Sequence, residues 1–98
     1  MILRDLDGKT VFRGDVELKP TLDRIAAKKR LNQFFNDGIA FQNRERRLPQ
    51  KSAGYYHEWV HPTPEIHGPG PQRIVSGSAG DLWYTPDHYA RFYRIGAQ

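Results

Sequence analysis

Cysteine is absent from this 98-residue chain, so no disulfide can staple it and no thiolate can act as nucleophile or ligand. That fits a reducing compartment without excluding export, since a secreted fold can do without bridges. Long apolar runs are missing too. Hydrophobic residues make up 38% and the mean hydropathy is −0.75, which reads as a soluble globular sequence and neither a membrane span nor a low-complexity tail. Nothing near Met1 resembles a signal peptide, because Ile2-Leu3 runs straight into Arg4-Asp5. There is no carboxylate cluster of the kind that holds Mg²⁺, and no acidic excess.

What is present is a basic balance. Fifteen Lys+Arg face eleven Asp+Glu, for a net charge of +4 and a pI of about 9.6. Such a balance favours an anionic partner, most simply nucleic acid. Two clusters carry more information than the total. Lys28-Lys29-Arg30 reads as a solvated helix end, where cations suit the C-terminal dipole. Arg44, Arg46 and Arg47 surround the carboxylate of Glu45. The length predicts one domain, residues 1–98, with a modest core.

Residues 2–13 alternate loosely around Asp7-Gly8, a two-residue hairpin signal, so residues 1–15 are expected to form a hairpin or a flexible arm. Val16 and Leu18 continue as extended chain. Pro20 suits the first turn of a helix with Asp23 close behind, and Leu22, Ile25 and Ala26 share one face, predicting a helix from Pro20 to Arg30. Asn36-Asp37-Gly38 turns the chain. Beyond it the texture is β: strands over Tyr55–Val60, Gln72–Ser76, Leu82–Thr85 and Tyr89–Ile95. A long loop, His61–Pro71, holds four prolines and two glycines. The expected fold is α+β, an N-terminal helix packed on a four- to five-stranded antiparallel sheet.

Strand alternation points Tyr55, His57 and Trp59 one way, toward the helix, and Tyr56, Glu58 and Val60 the other, onto an open face. If Ile74 is core, Arg73 shares that open face and can neighbour Glu58, lowering its pKa. RNA cleavage by its own 2′-OH needs a base, an acid and a cation on the phosphoryl group. Glu58, His88 and Arg73 suit those three roles in that order, with no metal required. Taken singly, each has a structural reading: a solvated strand Glu, a structural His, an ion-paired Arg. His57 reads as a core residue, and His61 and His67 as loop residues. On a strand, His57 and His61 stand about 13 Å apart (~3.3 Å per residue), too far to share an ion.

Residues from about Gly38 to Ile95 closely resemble the guanyl-specific microbial ribonucleases, the family of barnase and the shorter secreted guanyl ribonucleases. Phe41-Gln42-Asn43-Arg44-Glu45-Arg46, Leu48-Pro49, Gly54-Tyr55-Tyr56-His57-Glu58, Arg73-Ile74 and Asp87-His88-Tyr89 occur in family order with near-family spacing. The resemblance implies that Glu58 is the general base, His88 the general acid and Arg73 a phosphate-binding arginine. It implies that Glu45 accepts from guanine N1–H and N2–H₂, that backbone amides of Gln42, Asn43 and Arg44 meet O6, and that Phe41 stacks on the ring. Tyr89 is placed near the phosphate. No cofactor and no metal are implied.

One departure from the family pattern stands out. A second arginine is expected four residues before Arg73, where this chain has Pro69. Losing a charge-assisted bond of ~1.5–3 kcal/mol slows cleavage about ten- to a hundred-fold, unless His67, Arg44 or Lys51 substitutes. The first ~18 residues match nothing in the secreted enzymes. They are read as part of the toxin domain of a larger delivered bacterial protein, or of a secreted nuclease trimmed of its leader. The expected partners are single-stranded RNA and a barstar-like acidic inhibitor, with no membrane and a monomeric state. The competing reading is a catalytically weakened RNA- or inhibitor-binding module on the same scaffold.

Overall fold

A computed structural model describes residues 2–4, 10–13, 18–63 and 66–96, with backbone alone for the first two segments and for Gly96. One helix, α1 (Lys19–Ala27), precedes five strands: β3 (Ile39–Ala40), β4 (Tyr56–Val60), β5 (Arg73–Gly77), β6 (Leu82–Thr85) and β7 (Tyr93–Gly96). Strands β1 (Ile2–Arg4) and β2 (Thr10–Arg13) pair with each other and extend the sheet past β7, in the order β2-β1-β7-β6-β5-β4-β3. Every pairing is antiparallel. The Asp7-Gly8 turn and Val16 lie outside the described residues. The α+β architecture expected from the sequence is the one present.

The helix starts and stops earlier than its sequence suggests. Leu18 is not extended but is the helical N-cap, fully buried, and Asp23 falls beyond the first turn. At the other end Lys28 adopts φ 55°, and the Lys28 and Lys29 amides bond back to the Ile25 and Arg24 carbonyls. That paired closure ends a helix without glycine. Arg24, in the last turn, leaves the helix to meet buried Asp37 (Nη1–Oδ2 2.9 Å) and the Val60 carbonyl (2.6 Å). The same carboxylate accepts from the amides of Leu31 (2.7 Å) and Val60 (2.8 Å). Asp37 therefore ties helix, turn and β4 together in a polar knot whose carboxylate oxygens all have partners.

Both faces of the sheet are covered, which corrects the expected open face. On the helix side, Leu18 and Ile74 form a core with Leu22, Ile25, Leu82 and Tyr84. On the other side the chain from Phe41 to Leu48 and the segment from Tyr89 to Phe92 fold over the strands. There Leu48, Tyr56, Val75, Trp83 and Phe92 make a second core. Tyr56 and Val60, expected on an exposed face, are buried there. The last strand begins only at Tyr93, because His88 and Tyr89 both take positive φ and cannot continue a strand.

Candidate active site

Register places the first two candidates. On β4 and β5, Glu58 pairs with Val75 and Val60 with Arg73. Directly opposed residues share a face, so Glu58 and Arg73 are diagonal neighbours on the second-core side. Arg73 is almost fully buried, and Nη1 donates to the carbonyls of Gly70 (2.7 Å) and Gln72 (2.8 Å), with Pro69 at 3.5 Å. The proline- and glycine-rich loop before β5 thus clamps one nitrogen of the guanidinium. Its Nε is buried and has no hydrogen-bond partner among the described residues.

Glu58 is half-buried. Burial pushes its pKa above the ordinary glutamate value, and the nearby Tyr89 hydroxyl and Arg73 guanidinium only partly oppose that. The sequence reading expects the arginine to dominate and lower the value. The sign is reversed because the second core removes water from the carboxylate. Tyr89 is close enough to feel both charges; burial first and the Glu58 charge next raise its pKa well above that of a free tyrosine. Its hydroxyl is buried and closes no hydrogen bond among the described residues.

The turn that carries Tyr89 and His88 is built by Thr85, Asp87 and Arg91. Asp87 accepts from the Thr85 hydroxyl (3.1 Å), the Arg91 amide (2.9 Å) and Arg91 Nε (2.7 Å), while Thr85 Oγ1 accepts from the Tyr89 amide (2.9 Å). Burial works against ionisation of Asp87, but the bonds from Arg91 and Thr85 outweigh it and hold the pKa below the usual carboxylate value. This network sustains φ of 53° at His88 and 77° at Tyr89, conformations that non-glycine residues adopt only under constraint. His88 is exposed. Its amide donates to the Pro71 carbonyl (2.9 Å), and its ring lies 4.7 Å from that of Tyr89.

Glu58 and Tyr89 form one wall of a cavity of about 230 Å³. Its other wall is the loop Phe41, Gln42, Asn43, Arg44 and Glu45, all expected from the sequence to meet substrate, with Arg47 beside them. Phe41 stacks on Tyr89 with centroids 5.0 Å apart and meets Tyr56 and Phe92 edge-on. The Asn43 side chain turns inward, donating to the Leu48 carbonyl (3.0 Å) and accepting from its amide (3.2 Å). It braces the loop. Glu45 is exposed and paired with Arg47 at 3.0 Å. Arg73 and His88 are not on the cavity wall, though Arg73 is the diagonal neighbour of Glu58 and the His88 ring lies against Tyr89, which lines it. Among the described residues no group of three His, Cys, Asp or Glu is placed to hold a metal ion.

Arg47, Thr85, Asp87, Arg91 and the carbonyls around Arg73 went unassigned from sequence. Asp87 and Arg91 carry a faint signal, opposite charges four apart after Thr85-Pro86. The carbonyl clamp carries none, because backbone atoms leave no mark on residue identity.

Comparison with known proteins agrees with this geometry. A family model described as ribonuclease matches residues 15–96. Guanyl-specific ribonuclease Sa of Kitasatospora aureofaciens is 44% identical over 80 residues, covering 81% of this chain and 82% of that protein. Guanyl-specific ribonuclease St of Saccharopolyspora erythraea is 46% identical over 56 residues, 57% of this chain and 55% of that protein. Among solved structures, ribonuclease Sa2 with guanosine-2′-cyclophosphate superposes with a TM-score of 0.77 at 38% identity, covering 88% of this chain and 91% of that one. With its helix-on-antiparallel-sheet fold and the cavity between the 41–45 loop and Glu58, the chain belongs to the guanyl-specific microbial ribonuclease family.

Proposed function

We propose that this protein is an endoribonuclease that cleaves single-stranded RNA 3′ of guanosine without a metal. The observation that carries the reading is the pair of buried, unpartnered donors, Arg73 Nε and Tyr89 Oη, beside the half-buried Glu58. Leaving a buried donor unpaired costs about 1–3 kcal/mol, so two together describe a receptor for an acceptor-rich group such as a phosphate. Glu58 takes the 2′-hydroxyl proton, the 2′ oxygen attacks phosphorus, and His88 protonates the departing 5′ oxygen. Arg73 and Tyr89 stabilise the added charge on the phosphoryl oxygens. Hydrolysis of the resulting 2′,3′-cyclic phosphate runs the proton transfers in reverse, with His88 as base and Glu58 as acid.

The guanine lies in the 41–45 cavity. There Glu45 accepts from the N1–H and N2–H₂ edge, the Gln42–Arg44 amides donate to O6, and Phe41 supplies an aromatic platform. Residues 1–98 act as one ribonuclease domain, monomeric, secreted or delivered into a target cell. A barstar-like acidic protein is the natural inhibitor for a basic cleft of this kind. A defined single-stranded RNA containing one G, incubated in EDTA, tests the activity. A cut 3′ of the G with a cyclic phosphate end supports the proposal. No cut points to a binding module on the same scaffold, and a cut only with added metal points to another chemistry.

A further inference from the structure

A second groove, of about 440 Å³, opens beside the base cavity and shares one wall with it, Arg47. It is lined by buried Leu48 and Trp83 and by exposed Arg46, Arg47, Pro49 and Gln50. None of Glu58, Tyr89, Arg73 or His88 lines it. Positive charge surrounds it. Arg46 is exposed and makes no ion pair among the described residues, and the Arg94 guanidinium sits 4.9 Å over the Trp83 ring. Asp81, the nearest carboxylate to Trp83, accepts from Trp83 Nε1 (3.0 Å) and from the Tyr55 hydroxyl (2.8 Å), so both its oxygens are engaged. Arg46 itself is held at φ 55° in the loop, its amide donating to the Asn43 carbonyl (3.0 Å).

We infer that this groove binds the RNA chain on the 5′ side of the recognised guanosine, a reading that rests on the function proposed above. The polarity follows from the chemistry. The leaving 5′ oxygen faces His88, so the downstream nucleotide departs past that turn. We place the upstream phosphate on the other side, toward Arg47, which lines both the base cavity and the groove. A groove rimmed by exposed arginines is the surface that the phosphates of single-stranded nucleic acid take, with exposed Pro49 and Gln50 left to meet a base. Arg47 then links the two sites, reaching Glu45 in one and the incoming phosphate in the other.

The test compares GpU, a trinucleotide-extended UUUGpU, and GpUUUU. The 5′ extension should raise kcat/KM and the 3′ extension should not reproduce that gain. Arg46→Gln removes the charge without adding backbone strain, and Gln50→Ala removes a rim amide. Arg46→Gln should reduce kcat/KM on UUUGpU by about fivefold, the scale of one exposed charged contact, Gln50→Ala should reduce it less, and both should leave GpU unchanged. Binding of fluorescein-labelled UUUG to the His88→Ala protein, read by anisotropy, should weaken in parallel and lose about 0.7 from its salt slope in Arg46→Gln. Equal kcat/KM for GpU and UUUGpU, or equal losses on both in the variants, overturns the subsite while leaving the ribonuclease reading intact. Failure to cleave any of the three overturns the ribonuclease reading, and the anisotropy comparison then decides the groove by itself.

Discussion

As the proposed general base, Glu58 faces two demands that conflict energetically. Because its pKa is raised in the fold, the native state holds the proton more tightly than the unfolded chain does, and ionisation destabilises the fold. That penalty is absent below the ordinary glutamate value. It grows as pH rises through the window up to the raised value, and is complete above it. Glu58→Gln should therefore lose about 10²- to 10⁴-fold in cleavage, yet gain more in Tm over wild type at about pH 7 than at about pH 4. A gain equal at both pH values would show that burial does not tune this carboxylate. The acid limb of the wild-type kcat/KM profile should lie at higher pH than an ordinary glutamate would set. Tyr89 offers a second separation of stability from activity. Its hydroxyl is buried and unpaired, so Tyr89→Phe should leave Tm unchanged or higher and lower cleavage by about tenfold or more. A drop in Tm with full activity would mark the hydroxyl as structural.

Two elements set how well these residues are held. The Arg24–Asp37 pair fixes α1 against β4, with Asp37 fully buried and Arg24 mostly so. Removing one member strands the other, so Asp37→Asn should cost about 3–5 kcal/mol in urea unfolding, with activity per folded molecule preserved. A loss below about 1 kcal/mol would mean the helix is anchored by its apolar face alone. The loop before β5 clamps Arg73 through carbonyls, and its Pro69 stands where the resemblance implies a second arginine. Pro69→Arg should raise guanosine-specific cleavage by about ten- to a hundred-fold, read as kcat on a defined RNA. An unchanged or lower rate in a folded variant rejects the idea that a phosphate contact is missing there. The loop's Gly70, at φ 65°, lies where an added Cβ would press on Thr63 Oγ1 at 2.7 Å, so the clamp tolerates little rebuilding.

At the scale of the whole molecule, the net charge of +4 sets association with RNA more than chemistry at the phosphorus. Raising salt from about 50 to 200 mM should depress kcat/KM on an oligonucleotide steeply, and on guanosine 2′,3′-cyclic phosphate only slightly. Equal sensitivity would show that the basic surface does not contact the chain outside the base cavity. The radius of gyration, 12.7 Å, is close to the about 13 Å of a single domain of this length, so these charges share one body.

The order of helix and strands was legible because it is written in local patterns: Pro20 and the Leu22–Ile25–Ala26 face for the helix, and the aromatic alternation of Tyr55–Val60 for β4. The likeness to a known family was legible because phrases such as Phe41-Gln42-Asn43-Arg44-Glu45 and His57-Glu58 survive as contiguous runs. The sequence also supplied the parity that sets Glu58 and Arg73 on one face. What it did not contain was the second core over that face, and with it the sign of the Glu58 pKa shift. Desolvation depends on which distant segments, here Phe41 to Leu48 and Tyr89 to Phe92, come to cover a carboxylate. The clamp on Arg73 and the unpaired Tyr89 hydroxyl arise in the same way. Each depends on the three-dimensional placement of backbone carbonyls and donors, which the order of side chains along the chain does not encode.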